Sequence, residues 1–164
     1  MMPILRPVEA RDLAQILALN EAALPHVNSI SRETLEALAA MSCYFRVACV
    51  DSLVAGFLLA MREGTPYSSD NYRWFSKRYC SFVYVDRVVI APAYFRRGIG
   101  GLLYQDLVLK LSKGAPRIVC EVNLEPPNPG SISFHQSMGF SQVGQQPTEG
   151  GKKQVALLCK SLAQ

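Results

Sequence analysis

The sequence predicts an α/β fold: a mixed, twisted sheet of six to seven strands with about four helices on its faces. Periodicity is the first reason, since apolar residues recur at helical spacing in some segments and as dense β-rich runs in others. Order is the second. Helices precede a pair of strands, then strand, helix, strand and helix alternate, and a final hairpin closes the chain. That order calls for helices packed on a mixed sheet. The third is bulk: 164 residues, 49% hydrophobic and 18% charged, can bury a core. One domain over residues 1–164 is the expectation.

Ile4-Leu5-Arg6-Pro7-Val8 reads as a short opening strand, ending near a proline that removes a ladder donor. Glu9 to Ala22 follows with Leu13, Ile16, Leu17 and Ala23 at helical spacing, and Pro25 stops it. The linker His26-Val27-Asn28-Ser29-Ile30 leads to Ser31, an N-cap with Thr34 at N3 and the acid one place early at Glu33. Leu35, Leu38 and Ala39 give the second helix its apolar face. Cys43 to Val50 and Leu53 to Met61 form a hairpin across Asp51-Ser52, where serine is a poor match for positive φ. Arg62 to Arg78 is polar, holds Gly64 and Pro66, and carries Tyr67, Tyr72, Trp74 and Phe75. It reads as a loop with two uses, binding groups on a rigid scaffold or a cover for the sheet edge.

Phe82 to Ile90 is a long β-run broken by Asp86-Arg87. Ala91 to Phe95 ends it, and Arg96-Arg97-Gly98-Ile99-Gly100-Gly101 opens a helix through Leu102, Leu103, Leu107 and Leu111. Pro116 to Asn123 is the next strand, and Leu124 to Pro129 a proline-rich turn. A fourth helix, Gly130 to Met138, stops at Gly139 in a left-handed cap. Gln142 to Gln146 and Gln154 to Cys159 form the final hairpin across Thr148-Glu149-Gly150-Gly151.

Composition narrows the function. Lys and Arg total 17 against 13 for Asp and Glu, a net +4, too mild for a nucleic-acid stripe but enough for one phosphorylated ligand. No apolar run nears the roughly 20 residues of a membrane span, and Met1 to Pro7 lacks a signal stretch. A cytoplasmic chain with no membrane or nucleic-acid partner is expected. Cys43, Cys49, Cys80, Cys120 and Cys159 are odd in number and widely spaced, with no C-x-x-C, and the only histidines are His26 and His135. Buried thiols rather than a metal or disulfide framework follow.

The most informative stretch runs from Val88 to Leu103, where a strand feeds a glycine-rich loop that becomes the first turn of a helix. Helix N-termini present unpaired N–H groups and a positive dipole end, so they bind phosphate. Glycines let the anion approach the backbone, and Arg96 and Arg97 add positive charge. There is no G-x-x-x-x-G-K-[ST], and Leu103 stands where G-x-G-x-x-G needs glycine. The two commonest phosphate loops are therefore excluded.

Val89-Ile90-Ala91-Pro92-Ala93-Tyr94-Phe95-Arg96-Arg97-Gly98-Ile99-Gly100 resembles the acetyl-CoA motif of the GNAT superfamily of N-acetyltransferases. The segment from Asn128 to Phe140 is similar to that family's second motif, N-x-x-[AS]-x-x-[LF]-Y-x-x-x-G-F. Order, separation and the intervening strand match too. Two positions depart: Phe95 stands where the family usually has Gln or Arg, and His135 where many members carry the tyrosine that protonates the departing thiolate.

The resemblance implies a GNAT fold and an amine attacking the thioester of bound acetyl-CoA, with no metal. It places the pantetheine chain along Val88, Val89 and Ile90, with an N–H near Val89 facing the oxyanion. The diphosphate falls on Phe95, Arg96, Arg97, Gly98, Ile99, Gly100 and Gly101. The strand Glu121-Val122-Asn123 is expected to splay away and leave a slot, with Asn123, Asn128, Ser131 and Phe134 against the cofactor arm. Asp86 is the first choice for the base, against a plain ion pair with Arg87. Glu121 is the second choice, and a base acting through water the third. His135 is read as the acid, or as a packing residue with water as the acid. His26, Asn28, Tyr72 and Trp74 are the acceptor contacts. The acceptor is a small-molecule or peptide amine, and a homodimer is left open. The rival readings are a GNAT-like acyl-CoA-binding module without turnover, and an acyltransferase using another acyl-CoA or an oxygen acceptor.

Overall fold

In the computed structural model, which describes residues 2–111 and 114–162, the chain runs β1 (Ile4–Pro7), α1 (Leu13–Ala22), α2 (Arg32–Met41), β2 (Tyr44–Val50), β3 (Leu53–Arg62) and α3 (Asp70–Arg78). It continues as β4 (Val83–Ile90), α4 (Ile99–Lys110), β5 (Arg117–Glu125), α5 (Pro129–Ser137), β6 (Ser141–Thr148) and β7 (Lys153–Ser161). The strands form one mixed seven-stranded sheet, ordered β1-β2-β3-β4-β5-β7-β6, in which β4 and β5 are parallel. The expected α/β class and strand count hold. The chain divides into two compact units, Met1–Met61 with Asp86–Ser112, and Arg62–Val85 with Lys113–Gln164.

In the first unit β1, β2 and β3 are antiparallel, with Ile4 opposite Cys49 and Tyr44 opposite Ala60. The hairpin turns on Asp51 and Ser52 at φ 50° and 68°, so serine takes the conformation it disfavours to match the strand twist. Ser31 Oγ accepts from Thr34 N (3.1 Å) and caps α2. Helices α1 and α2 pack together, with Ile16 and Leu35 fully buried, and α4 lies on β2 with Leu103 and Leu107 inside. Tyr44 donates to Asp106 Oδ2 (2.8 Å); burial, then Asp106, drives its hydroxyl pKa far above the usual value. Arg6 grips Asp12 with two bonds (2.7 and 2.9 Å) and holds that carboxylate below its ordinary range. Strand β3 approaches β4 so closely at Gly56 that a Cβ there would lie 2.6 Å from Ile90 Cδ1 and 2.9 Å from the Val89 carbonyl oxygen.

In the second unit β5, β7 and β6 form antiparallel ladders, and Val83 and Tyr84 at the start of β4 pair with Ile118 and Val119. Here the structure corrects the sequence reading. Residues 70–78, expected as loop, form α3: Ser69 Oγ accepts from Tyr72 N (3.3 Å) as N-cap, and Asp70 at the start and Lys77 and Arg78 at the end complement the helix dipole. Tyr72 and Phe75 form its buried face with Tyr84 and Phe82. The Trp74 ring lies against Gly144 of β6, where a Cβ would be 2.9 Å from Cη2, and the Arg78 guanidinium stacks on its face at 3.7 Å. The cysteines are thiols, but only Cys49 and Cys120 are buried; Cys43 and Cys159 are half-buried and Cys80 is exposed.

Candidate active site

Strand β4 was expected to break at Asp86-Arg87, yet it is continuous. Asp86 Oδ2 accepts from Arg87 Nε at 2.7 Å with both side chains only 4% exposed. Neutralised in pairs, the two charges can enter a strand whose Val85, Arg87 and Val89 are buried. Asp86, expected as the base, is thus half of a buried ion pair, the alternative that the sequence left open. Just past the strand, Ala91 N donates to Ala55 O on β3 (2.8 Å). Period-two alternation then turns the Val89 amide toward β3, and the Val88 and Ile90 amides toward the opposite edge. Of the N–H groups near Val89, those of Val88 and Ile90 are the ones that face away from β3.

Beyond β4, Pro92–Tyr94 makes one 3-10 turn, and Arg96 (φ 62°) and Gly98 (φ 78°) are both left-handed. Gly98 is the N-cap of α4, its carbonyl accepting from Leu102 N at 3.0 Å. The N–H groups of Ile99, Gly100 and Gly101 therefore project from the helix start without an intrahelical acceptor. A Cβ built at Gly98 or Gly101 meets nothing within 4 Å, so the space beside these two glycines is open, while Ile99 and Gly100 between them are buried. Arg96 and Arg97 are exposed beside it, Arg97 lying 5.3 Å from the Tyr94 ring centroid, and Phe95 is 58% exposed. Donors, cations and the open space beside Gly98 and Gly101 together fit a diphosphate.

The acceptor residues separate. His26 and Asn28 are exposed between α1 and α2, whereas Tyr72 is 3% exposed, accepts from Thr65 N (2.9 Å) and donates to Arg62 O (2.7 Å). Tyr72 is a core residue, and half-buried Trp74 is engaged by Gly144 and Arg78.

In the second unit Glu121 is half-buried and its Oε1 accepts from the Tyr84 hydroxyl at 2.8 Å. Asn123 is 5% exposed. Asn128 caps α5 by accepting from Ser131 N (3.4 Å). His135 is 2% exposed, edge-on to Phe134 and Phe140. Its Nδ1 lies 2.8 Å from Ser131 O. A carbonyl only accepts, so Nδ1 carries the ring proton. Burial lowers the pKa of this ring, opposed by the Ser131 carbonyl. Sequence reasoning missed Asn20 (0% exposed) and the role of Arg87 (6% exposed), which meet in a buried polar cluster. The valines flanking Arg87 at period two were the available signal.

No described helix is long and apolar enough to cross a membrane, and no group of three or more His, Cys, Asp or Glu among the described residues could hold a metal ion. The family model "Acetyltransferase (GNAT) family" matches residues 13–140. The chain belongs to the GNAT acetyltransferase family. Among solved structures it is similar to the ribosomal-protein-S18-alanine N-acetyltransferase from Escherichia coli (18% identity, 99% of this chain and 97% of that one, TM-score 0.74). It is also similar to Ard1 from Thermoplasma volcanium (15% identity, 100% of both chains, TM-score 0.79). A third likeness is to Arabidopsis thaliana Naa50 in complex with the bisubstrate analogue CoA-Ac-MVNAL (18% identity, 99% of this chain and 100% of that one, TM-score 0.75). No curated protein matches the sequence.

Proposed function

We propose that the chain transfers the acetyl group of acetyl-CoA to a primary amine of a small molecule or peptide. The observation that carries this is the start of α4: a left-handed Gly98, N–H groups without intrahelical acceptors, open space beside Gly98 and Gly101, and two exposed arginines following β4. Acetyl-CoA supplies an activated thioester. The chain must bind, orient and move protons. Amides of Ile99, Gly100 and Gly101 with Arg96 and Arg97 hold the diphosphate, and the outward amides of Val88 and Ile90 align the pantetheine arm and face the carbonyl oxygen.

For the proton transfers, the buried ion pair with Arg87 weighs against Asp86 as the base. Glu121, a half-buried carboxylate bonded to Tyr84, is the base in this reading. His135 holds its neutral-state proton on Nδ1, so the proton it can offer a leaving sulfur resides on Nε2 of the cationic ring. A developing thiolate favours that cation, while burial opposes it. Binding without turnover is the second reading, and the buried, neutral-leaning His135 is what favours it.

Titration calorimetry with acetyl-CoA and with desulfo-CoA separates the two from a chain that binds neither. Saturable heat for both ligands, lost in Gly100→Asp, supports the cradle, because a carboxylate added at this buried position of the helix start repels the diphosphate. An absence of heat from the wild-type chain refutes both readings.

A further inference from the structure

We propose that Arg87 is a positioning residue for the amine acceptor, acting by clamping Asn28 in the linker between α1 and α2; this rests on the transferase reading above. Arg87 Nε donates to Asp86 Oδ2 (2.7 Å), Nη1 to Asn20 Oδ1 (2.9 Å) and Asn28 O (3.4 Å), and Nη2 to Asn28 Oδ1 (3.0 Å). Asn20 Nδ2 adds a bond to Asn28 O (2.9 Å). Asn28 is exposed, yet its carbonyl and side-chain oxygens are gripped from beneath by two residues that are 6% and 0% exposed.

Stability does not explain this arrangement. Buried ion pairs replaced by apolar side chains of similar volume are often neutral or more stable, because burying the charges offsets their attraction. What a guanidinium fork with fixed donor directions does well is hold one geometry. The geometry held here is that of an exposed linker residue, tied to the strand position next to Val88, where the thioester arm is proposed to begin. The linker's outer face, with His26 and Asn28, is then the fixed wall against which an amine is oriented. Asn20 is wholly buried and cannot touch a substrate, so any effect it has on the acceptor must pass through the clamp.

The test uses Asn20→Ala and Arg87→Lys, which keep a cation beside Asp86, and the amine that the wild type uses best among small primary amines and short peptides with free N-termini. Both variants are expected to raise the KM for that amine about tenfold, a loss typical of hydrogen bonds to a charged group. The KM for acetyl-CoA and kcat should stay within about twofold, and amide hydrogen exchange over residues 26–30 should accelerate. A merely structural role lowers Tm and the active fraction but leaves the amine KM alone. An unchanged amine KM in Asn20→Ala, or equal rises for amine and acetyl-CoA, overturns the positioning role. A wild-type chain that turns over no amine refutes the transferase reading instead, and the positioning role falls with it.

Discussion

Gly98→Ala separates the two demands made on the start of α4. At φ 78° an L residue costs about 1–2 kcal/mol. A Cβ at this position meets nothing within 4 Å, so no steric term inside the chain adds to that cost. For a chain of this size each kcal/mol moves Tm by about 2–4 °C, so the ligand-free variant should melt roughly 2–8 °C below the wild type. The same open space is where the diphosphate must approach, and there the methyl group does collide. Saturating acetyl-CoA at a hundred times its Kd adds about 2.7 kcal/mol to the wild type, or roughly 5–10 °C. In Gly98→Ala that ligand shift should fall by more than half at the same concentration. Differential scanning fluorimetry across an acetyl-CoA titration reads both effects from one set of melts. A variant whose apo Tm drops while its ligand shift survives would refute the cradle; an apo Tm equal to wild type would refute the left-handed backbone.

Gly56→Ala should lower Tm and raise the KM for acetyl-CoA together, because its methyl must displace the Val89 carbonyl 2.9 Å away, an overpacking worth about 1–3 kcal/mol. Thermal melts and initial rates check it, and a normal KM in a destabilised enzyme counts against β4 as the cofactor strand. Burial holds His135 below the ordinary 6.5, so between its folded pKa and that value the unfolded chain binds more protons. Stability should therefore be full above about pH 7 and fall as pH drops through 6.5, and His135→Phe should flatten that slope in urea titrations. Asp12 and Glu63, both held below their usual carboxylate range, act in a lower window: their contribution is present above about pH 4.5 and lost as pH falls further. Trp74→Ala should lower Tm, because the ring fills the space over Gly144, and should leave acetyl-CoA binding within a few-fold by calorimetry.

Where local chemistry decides structure, the sequence was legible. Ser31 caps α2, Asp51 and Ser52 turn the first hairpin, and Gly139 follows α5 at φ 96°. The loop from Arg96 to Gly101 was read as a helix start because arginines and glycines meet there for one physical reason. The misreadings arose where tertiary contacts override local signals. Asp86-Arg87 looks like a break in an apolar run, but lateral pairing cancels its charge and the strand continues. Residues 70–78 look like a polar loop, although Ser69 as cap and Tyr72, Phe75 and Tyr79 at helical spacing carried the helix signal. Tyr72 looked available to a substrate because nothing in the sequence reveals that Arg62 O and Thr65 N take up its hydroxyl. Asn20 has the appearance of a surface residue of α1 until Arg87 and Asn28 are brought to it.

The central claim is transfer, and its most direct measurement is release of CoA thiol from acetyl-CoA in the presence of a panel of small primary amines and free-N-terminus peptides, with acceptor mass read in the same tubes. The account predicts amine-dependent thiol release matched one for one by acceptor molecules heavier by one acetyl group, and its loss in Gly100→Asp. Tight binding of acetyl-CoA with no thiol release above the enzyme-free rate for any amine would contradict it and leave a binding module in its place.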